Sequence, residues 1–235
     1  MSKIYLTARI VLNKVLNKTG IYLLRVKSYN SLVNPSALQA LEKYKIKPTS
    51  ILHIGAHFAQ EANDYWSSGV RKALFIEGHP ETYLRMTKNI KKFPGYEGIC
   101  LLLSDHEGTE DFFVSSNSGQ SSSLLEPKNH LKVEPKIKFE KPIKLPVATL
   151  DSLKVEQFDL VVIDVQGAEK FIIRGGLSTI NQSKAVWVEV SATELYEGNT
   201  TISEIIQLLS ENFSPVFLNM SNNLWGDLLF IRNQD

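Results

Sequence analysis

Short apolar segments alternate with longer amphipathic ones from residue 49 to the end of the chain. Continuous apolar runs are typical of buried strands, whereas apolar residues three or four positions apart are typical of helices packed on one face. The pattern predicts strands at 51–54, 73–77, 98–104, 109–114, 160–164, 185–190, 216–219 and 228–231. It predicts helices between them at 60–67, 80–92, 167–180 and 202–209. This alternation indicates an α/β fold, an open and mostly parallel sheet with helices on both faces.

Two further segments lie between these elements. A strand is predicted at 141–147 and is placed at a sheet edge, because Pro142 and Pro146 lack the backbone N–H that a central strand needs. Segment 115–123 is rich in Ser, Gly and Asn and is too long for a plain turn. It is expected to be either a mobile loop or a flap over a substrate.

The first 48 residues form a separate, basic extension before a main domain at 49–235. Residues 2–18 carry apolar side chains on one face and lysines on the other, which predicts an amphipathic helix. A second helix is predicted at 35–44, with Asn34 as its N-cap and Pro35 at its first position.

The charge of this extension is opposite to that of the main domain. Residues 1–48 hold nine of the 26 Lys and Arg residues but one of the 25 acidic residues. Two interpretations stay open: the extension packs on the domain as a lid or dimer element, or residues 1–30 lie on an anionic membrane surface. The acidic main domain argues against nucleic acid as a partner.

The amino-acid composition bears on the location of the protein, on membrane spanning and on metal binding. The one cysteine, Cys100, cannot form an internal disulfide and lies in an apolar run, which predicts a buried thiol and favours a reducing, cytoplasmic location. No uncharged apolar stretch is long enough to span a membrane. The five histidines lack the spacing of a helical metal pair, so no metal is expected.

Candidate ligand-binding residues follow three of the predicted strands, at the carboxyl ends where open α/β sheets bind ligands. Gly55 permits a tight turn after the first strand, and the helix that follows presents unpaired N–H groups. Glu77 ends the second strand, where a carboxylate suits two ribose hydroxyls. Asp164 ends strand 160–164. On this pattern a nicotinamide-dependent dehydrogenase remains an alternative, although Ala59 stands where a dinucleotide loop has glycine.

Six segments in order resemble the successive blocks of FkbM-type S-adenosylmethionine-dependent methyltransferases: 51–59, 75–77, 103–105, 121–124, 149–153 and 162–169. The resemblance covers residues 49–233. It implies a doubly wound, mostly parallel, seven-stranded Rossmann-like methyltransferase sheet whose last strand is antiparallel. It also implies S-adenosylmethionine as cofactor and O-methylation of a hydroxyl on a sugar, glycan or related metabolite.

The same resemblance implies a set of cofactor-binding residues: His53, Gly55, Ala56, His57, Glu77, Gly78, Ser104, Asp105, Asp164 and Gln166. Glu77 would hold the ribose, and Ser104 and Asp105 would border the adenine. Asp164 and Gln166 would face the transferred methyl group. His53 departs from the family, which commonly has an acid there, and Gln166 replaces a common glutamate.

A methylated hydroxyl must lose its proton, and the sequence offers three acceptors. Asp164 is expected beside the methyl group, Glu189 ends the next strand, and His57 has the best-placed intrinsic pKa but belongs to the glycine loop. Because His53 and Gln166 depart from the family, an inactive cofactor-binding or interaction module is a further alternative. A homo-oligomer is compatible with every one of these interpretations.

Overall fold

The computed structural model describes residues 36–221 and 225–233. The strands in these residues are β1 (Ser50–Ile54), β2 (Lys72–Glu77), β3 (Tyr96–Cys100), β4 (Leu102–Leu103), β5 (Gly108–Phe112), β6 (Ile143–Ala148), β7 (Leu160–Ile163), β8 (Ala185–Ser191), β9 (Phe213–Ser221) and β10 (Trp225–Arg232). The helices are α1 (Ala37–Glu42), α2 (Ala62–Ser67), α3 (Pro80–Ile90), α4 (His130–Val133), α5 (Glu169–Gly175), α6 (Leu177–Ile180) and α7 (Ile202–Leu209). A 3-10 turn at Asp151–Leu153 precedes β7.

Seven strands form the main sheet, in the order β3-β2-β1-β7-β8-β10-β9. β10 is antiparallel to both of its neighbours, and the other pairings in this sheet are parallel. The winding direction reverses between β1 and β7, so the connections after these two strands diverge and leave a crevice at their carboxyl ends. The predicted fold class is confirmed, including the antiparallel last strand.

Helices cover both faces of the main sheet, and alternate residues of each central strand serve the two faces. In β7, Leu160 and Val162 pack on the side of α1, α2 and α3, whereas Val161 and Ile163 pack on the side of α5, α6 and α7. All four residues are buried. This double burial explains why β7 is an unbroken apolar run rather than an alternating one.

A second sheet has the order β4-β6-β5, and it corrects the expected edge position of segment 141–147. β6 is the middle strand of the three. Its proline is tolerated because β4 pairs only with Val147 and Ala148, so Pro146 has a strand on one side alone.

The predicted strand 98–104 is wrong as one element. The chain leaves the main sheet after Cys100, at Leu101, and enters the second sheet at Leu102. Both sheets need apolar residues here, so the pattern shows no interruption. Cys100 itself is exposed, contrary to the expected burial, because it is the last residue of an outer strand.

The predicted helix 167–180 is also two elements, α5 and α6, which meet at Gly176. A side chain at Gly176 would collide with Leu150, so the chain packs closely there. The N-cap of helix α1 is Ser36, two residues after the expected Asn34, and it exchanges hydrogen bonds with Gln39 in a capping box.

The described part of the N-terminal extension packs against the main sheet. Leu41 of α1 is buried, and the Tyr44 hydroxyl donates a 2.9 Å hydrogen bond to the carbonyl oxygen of Val216 in β9. The predicted helix at 2–18 lies outside the described residues. Across residues 36–221 and 225–233 the structure contains no helix with the length and apolarity needed to cross a membrane.

Candidate active site

A cavity of about 460 Å³ opens at the carboxyl ends of β1, β2, β7 and β8. Its lining comes from 53–57, 76–78, 101–103 and 164–169, with parts of 117–124, 130–137 and 189–199. The crevice at the reversal of strand order is therefore the place where most of the predicted site residues meet. Gly78 and Ala56 are among them.

The loop after β1 is held against the end of β7. Gly55 has φ of +76°, and a Cβ on it would lie 1.7 Å from the backbone oxygen of Asp164. The N–H groups of Gly55 and Ala56 both donate to the Ile76 oxygen, at 2.9 and 3.1 Å. Only glycine satisfies both the left-handed backbone and this close approach. Its position therefore sets the distance between the glycine loop and Asp164.

Glu77 lies at the end of β2 and is buried. One carboxylate oxygen accepts the N–H of His57 at 2.9 Å, and the other accepts the N–H of His79 at 2.8 Å. Burial raises the pKa of Glu77 to about 7 in spite of these bonds. Because each oxygen has a second lone pair, two ribose hydroxyls can still donate to it.

His57 joins the glycine loop to segment 115–123. Its Nε2 lies 2.8 Å from the Ser118 oxygen, and its Nδ1 lies 2.9 Å from the side-chain nitrogen of Gln60. The ring therefore donates through Nε2 and accepts through Nδ1. With both nitrogens occupied, His57 is poorly placed to take a proton, and its bond to Ser118 holds the 115–123 segment beside the cavity.

His53 lines the cavity from within β1 and is buried. Its Nδ1 lies 3.2 Å from the Tyr65 hydroxyl, and its ring packs against Phe75. Burial lowers the pKa of His53, so the ring is uncharged at neutral pH. A neutral imidazole can accept a hydrogen bond from the cofactor's amino group, but it cannot supply the charge of the acid that the family commonly has there.

Gln166 joins the carboxylates of Asp164 and Glu189. Its side-chain nitrogen donates to Asp164 Oδ1 at 2.9 Å and to Glu189 Oε2 at 2.7 Å. The backbone of Gln166 is left-handed, with φ of +53°, and its carbonyl oxygen accepts a 2.8 Å hydrogen bond from Ser123 Oγ. The residue after β7 and the residue in β8 are thus held together at the cavity.

The site disfavours the charged form of Glu189. Burial, and then the negative charge of Asp164, raise the pKa of Glu189 well above its ordinary value. Asp227 faces Glu189 across the β8–β10 pair, and burial followed by Asp164 raises its pKa to about 7. The raised pKa favours the protonated form of Glu189, which can donate through one carboxyl oxygen while Oε2 accepts from Gln166.

Glu169, Tyr196 and His130 are among the cavity residues that sequence reasoning missed. Burial raises the pKa of Glu169 to about 7, and its Oε1 accepts the Gly167 N–H at 2.9 Å. The Tyr196 hydroxyl donates to the Ser121 oxygen at 2.8 Å. Glu169 belongs to the 162–169 block and was open to detection, whereas Tyr196 follows β8 in a segment with no motif.

Two predicted residues, Ser104 and Asp105, are not brought to the cavity lining. Ser104 is buried, with Gly175 of α5 packed against its backbone, and Asp105 pairs with His106 at 3.0 Å. The lining at this place comes from 101–103 instead. Contact of Ser104 and Asp105 with the adenine stays a prediction.

The charge of the lining fits the expected cofactor. Among the described residues it contains six carboxylates and no Lys or Arg: Glu61, Glu77, Glu134, Asp164, Glu169 and Glu189. S-adenosylmethionine carries a net positive charge, so this lining attracts it. A dinucleotide carries a diphosphate, which this set of residues would repel.

Comparison with known proteins agrees with this chemistry. The family model described as methyltransferase FkbM domain matches residues 53–214. The chain is 31% identical over 170 residues to 2-O-methyltransferase NoeI of Sinorhizobium fredii (strain NBRC 101917 / NGR234), covering 68% of this chain and 70% of the relative.

A crystal structure of methyltransferase FkbM from Methylobacillus flagellatus KT is similar in fold. It has a TM-score of 0.52 and 14% sequence identity over 79% of this chain, which spans 44% of that longer protein. The family match and the relative therefore replace the dehydrogenase alternative. The cofactor of the protein is S-adenosylmethionine, and the chain belongs to the methyltransferase FkbM family.

Proposed function

We propose that this protein transfers the methyl group of S-adenosylmethionine to a hydroxyl of a sugar, glycan or related metabolite. The observation that carries the proposal is the contact of Asp164 and Glu189 through Gln166 at the cavity. A hydroxyl is a very weak acid, so its methylation needs a proton acceptor at the reacting oxygen. The name of the 31% identical relative, a 2-O-methyltransferase, supports the same reaction.

Asp164 is the proton acceptor in this proposal. When bound, the cofactor supplies a methyl group on a good leaving group, so the chain has to orient the hydroxyl and remove its proton. Burial and the charge of Asp164 raise the pKa of Glu189, which favours its protonated form and leaves it less available as a proton acceptor. Asp164 therefore takes the proton, and Gln166 keeps its carboxylate turned toward the cavity through the 2.9 Å bond.

The test is Asp164→Asn, which keeps the shape and removes the charge. Loss of a general base typically lowers the rate by about 10²- to 10⁴-fold. We expect kcat to fall by that factor while affinity for S-adenosylhomocysteine stays within about twofold, a change below 0.5 kcal/mol. Asp111→Asn is the matched control, because Asp111 is a half-exposed carboxylate of β5 paired with Lys144.

Two results would contradict these assignments. Normal turnover in Asp164→Asn together with loss in Glu189→Gln would reverse the roles of the two carboxylates. Loss in His57→Ala alone would show that the bonds of its ring nitrogens do not exclude it as the base.

Cofactor and acceptor are tested separately. Calorimetry should show binding of S-adenosylhomocysteine and none of NAD. A screen of methyl glycosides, glycolipids and small metabolites with radiolabelled S-adenosylmethionine should identify a methylated hydroxyl. Transfer to a nitrogen or sulfur acceptor, with none to hydroxyls, would refute O-methylation.

A further inference from the structure

The cavity has a part that the cofactor-holding loops do not form. Residues after β1 and β2 supply the glycine loop and Glu77, whereas other segments supply the rest of the lining. That remainder includes apolar side chains and amide side chains: Val133, Ile137, Leu195, Trp225, Asn117 and Gln120. If methyl transfer takes place here, this surface receives the acceptor.

The polar groups of this surface are negative or neutral. Glu134 lies exposed at its edge, and Asp164, Glu169 and Glu189 lie deeper. His130 also lines it, but burial lowers its pKa and keeps the ring neutral. Among the described lining residues no Lys or Arg offers a positive charge.

An anionic group placed here would meet carboxylates that already repel one another. The raised pKa values of Glu169 and Glu189 reflect their burial and the nearby charge of Asp164. If Glu169 and Glu189 took up protons, they would repel a bound anion less. Protonation would not create the donors with positive charge that bind phosphate and carboxylate groups in proteins.

Apolar and aromatic residues on this surface can pack against the apolar face of a sugar ring. The C–H face of a sugar ring packs on groups such as Trp225 and Leu195, while its hydroxyls bond to amides and carboxylates. A neutral hydroxylated ring uses both kinds of group. A phosphate or carboxylate group finds amide donors on this surface but no described Lys or Arg to balance its charge.

We propose that the acceptor is uncharged where it enters this cavity, and that sugars carrying a phosphate, diphosphate or carboxylate beside the reacting ring are rejected. This selection rests on the proposed function, because it concerns the acceptor of the same site. It assigns the protein to neutral glycans or glycosides rather than to nucleotide-activated sugars. A reaction that removes or conceals the anionic carrier must therefore precede methylation.

Binding in the protein loaded with S-adenosylhomocysteine tests the selection without needing turnover. The neutral probes are methyl glycosides of hexoses, deoxyhexoses and N-acetylhexosamines. The anionic probes are glucose 6-phosphate, glucuronic acid and UDP-glucose, each titrated by ligand-observed NMR. We expect at least one neutral probe to bind at least about tenfold more tightly than every anionic one, because the described lining offers carboxyl groups and no Lys or Arg to an anion.

Charge substitution at the edge of the cavity tests the physical reason. Glu134→Lys should improve the affinity of anionic probes relative to neutral ones by about twofold to fivefold, with Glu134→Gln between, as expected for an exposed charge. Glu211→Lys, an exposed glutamate outside the lining, is the matched control. An unchanged ratio in Glu134→Lys would contradict the electrostatic explanation.

Failure of the inference and failure of the proposed function give different results. Equal or tighter binding of the anionic probes, or no binding of any neutral probe, overturns the inference. A neutral probe that binds but receives no methyl group from S-adenosylmethionine supports the charge selection and contradicts the proposed function.

Discussion

Replacement of Glu77 gives a sharp test of how the cofactor is held. In Glu77→Gln the side chain keeps its size but loses its charge. In the wild type the Glu77 carboxylate accepts the N–H groups of His57 and His79 and has lone pairs left for two ribose hydroxyls. The amide keeps one accepting oxygen, so both the ribose contacts and one backbone contact are weakened.

The size of the effect follows from the bonds that are lost. A hydrogen bond to a charged group contributes about 1.5–3 kcal/mol. Loss of one such bond to the ribose predicts weaker binding of S-adenosylhomocysteine by at least about tenfold, since 1.4 kcal/mol is a factor of ten. Glu77→Ala should lose at least as much.

The same residue predicts a pH dependence. If Glu77 holds the ribose, the hydroxyls donate to its ionised form. The pKa of Glu77 is about 7, so below that pH binding must first remove a proton. The affinity of the wild type should therefore fall about tenfold between pH 8 and pH 6, and Glu77→Gln should show a smaller fall.

Calorimetric titration with S-adenosylhomocysteine at both pH values measures these quantities. Thermal melting of each variant confirms that it is folded. A folded Glu77→Gln protein with unchanged affinity and unchanged pH dependence would refute the role of Glu77.

Two other regions of the chain give independent tests. Gly55→Ala should lower the free energy of unfolding, measured in urea, by at least about 2 kcal/mol, because the new Cβ would collide with the backbone of Asp164. The control is Gly198→Ala, where φ is +63° but the surrounding space is open, and it should lower the same free energy by about 1 kcal/mol. Equal losses would show that strain alone, not contact, acts at Gly55. Deletion of residues 1–30 should leave cofactor affinity within about twofold. If these residues bind an anionic membrane, the full-length protein alone should sediment with anionic liposomes and salt should release it; if neither form sediments, light scattering of both tests the lid or dimer interpretation.

The strand ends were predictable because their signals are local. An apolar run ending at Gly55, Glu77 or Asp164 gives both the strand and the residue that faces the crevice. The parallel order then brings these ends together, whatever the exact bounds of each strand. This is why the part of the cavity formed by these strand ends follows from the sequence more fully than the part formed by the other segments.

The remaining contacts depend on distant parts of the chain. The Tyr196 hydroxyl donates to the Ser121 oxygen, which joins two irregular segments that are distant in sequence. Neither segment carries a periodic pattern. Ser104 and Asp105 follow a strand that appears continuous in sequence but changes sheet at Leu101. The break at Gly176 was visible as a Gly-Gly pair, whereas the change at Leu101 had no local signal.

The buried acids that serve the site should weaken the fold as pH rises. Burial raises the pKa of Glu169 from 4.5 to about 7 in the folded state. The folded protein then binds this proton more strongly than the unfolded chain does. Stability from this group is therefore full below about pH 4.5 and is lost progressively up to about pH 7, by up to about 3 kcal/mol.

Glu169→Gln isolates this contribution, because the amide oxygen can still accept the Gly167 N–H while no charge is buried. The free energy of unfolding in urea should match the wild type near pH 4 and exceed it at pH 8 by up to about 3 kcal/mol. Glu204→Gln is the contrasting variant, because the N–H of Thr201 and other donors lower the pKa of Glu204. It should lose stability at pH 8 rather than gain it. If Glu169→Gln were less stable than the wild type at both pH values, the ionised carboxylate would be stabilising, and the argument that burial holds a proton on this residue would be wrong.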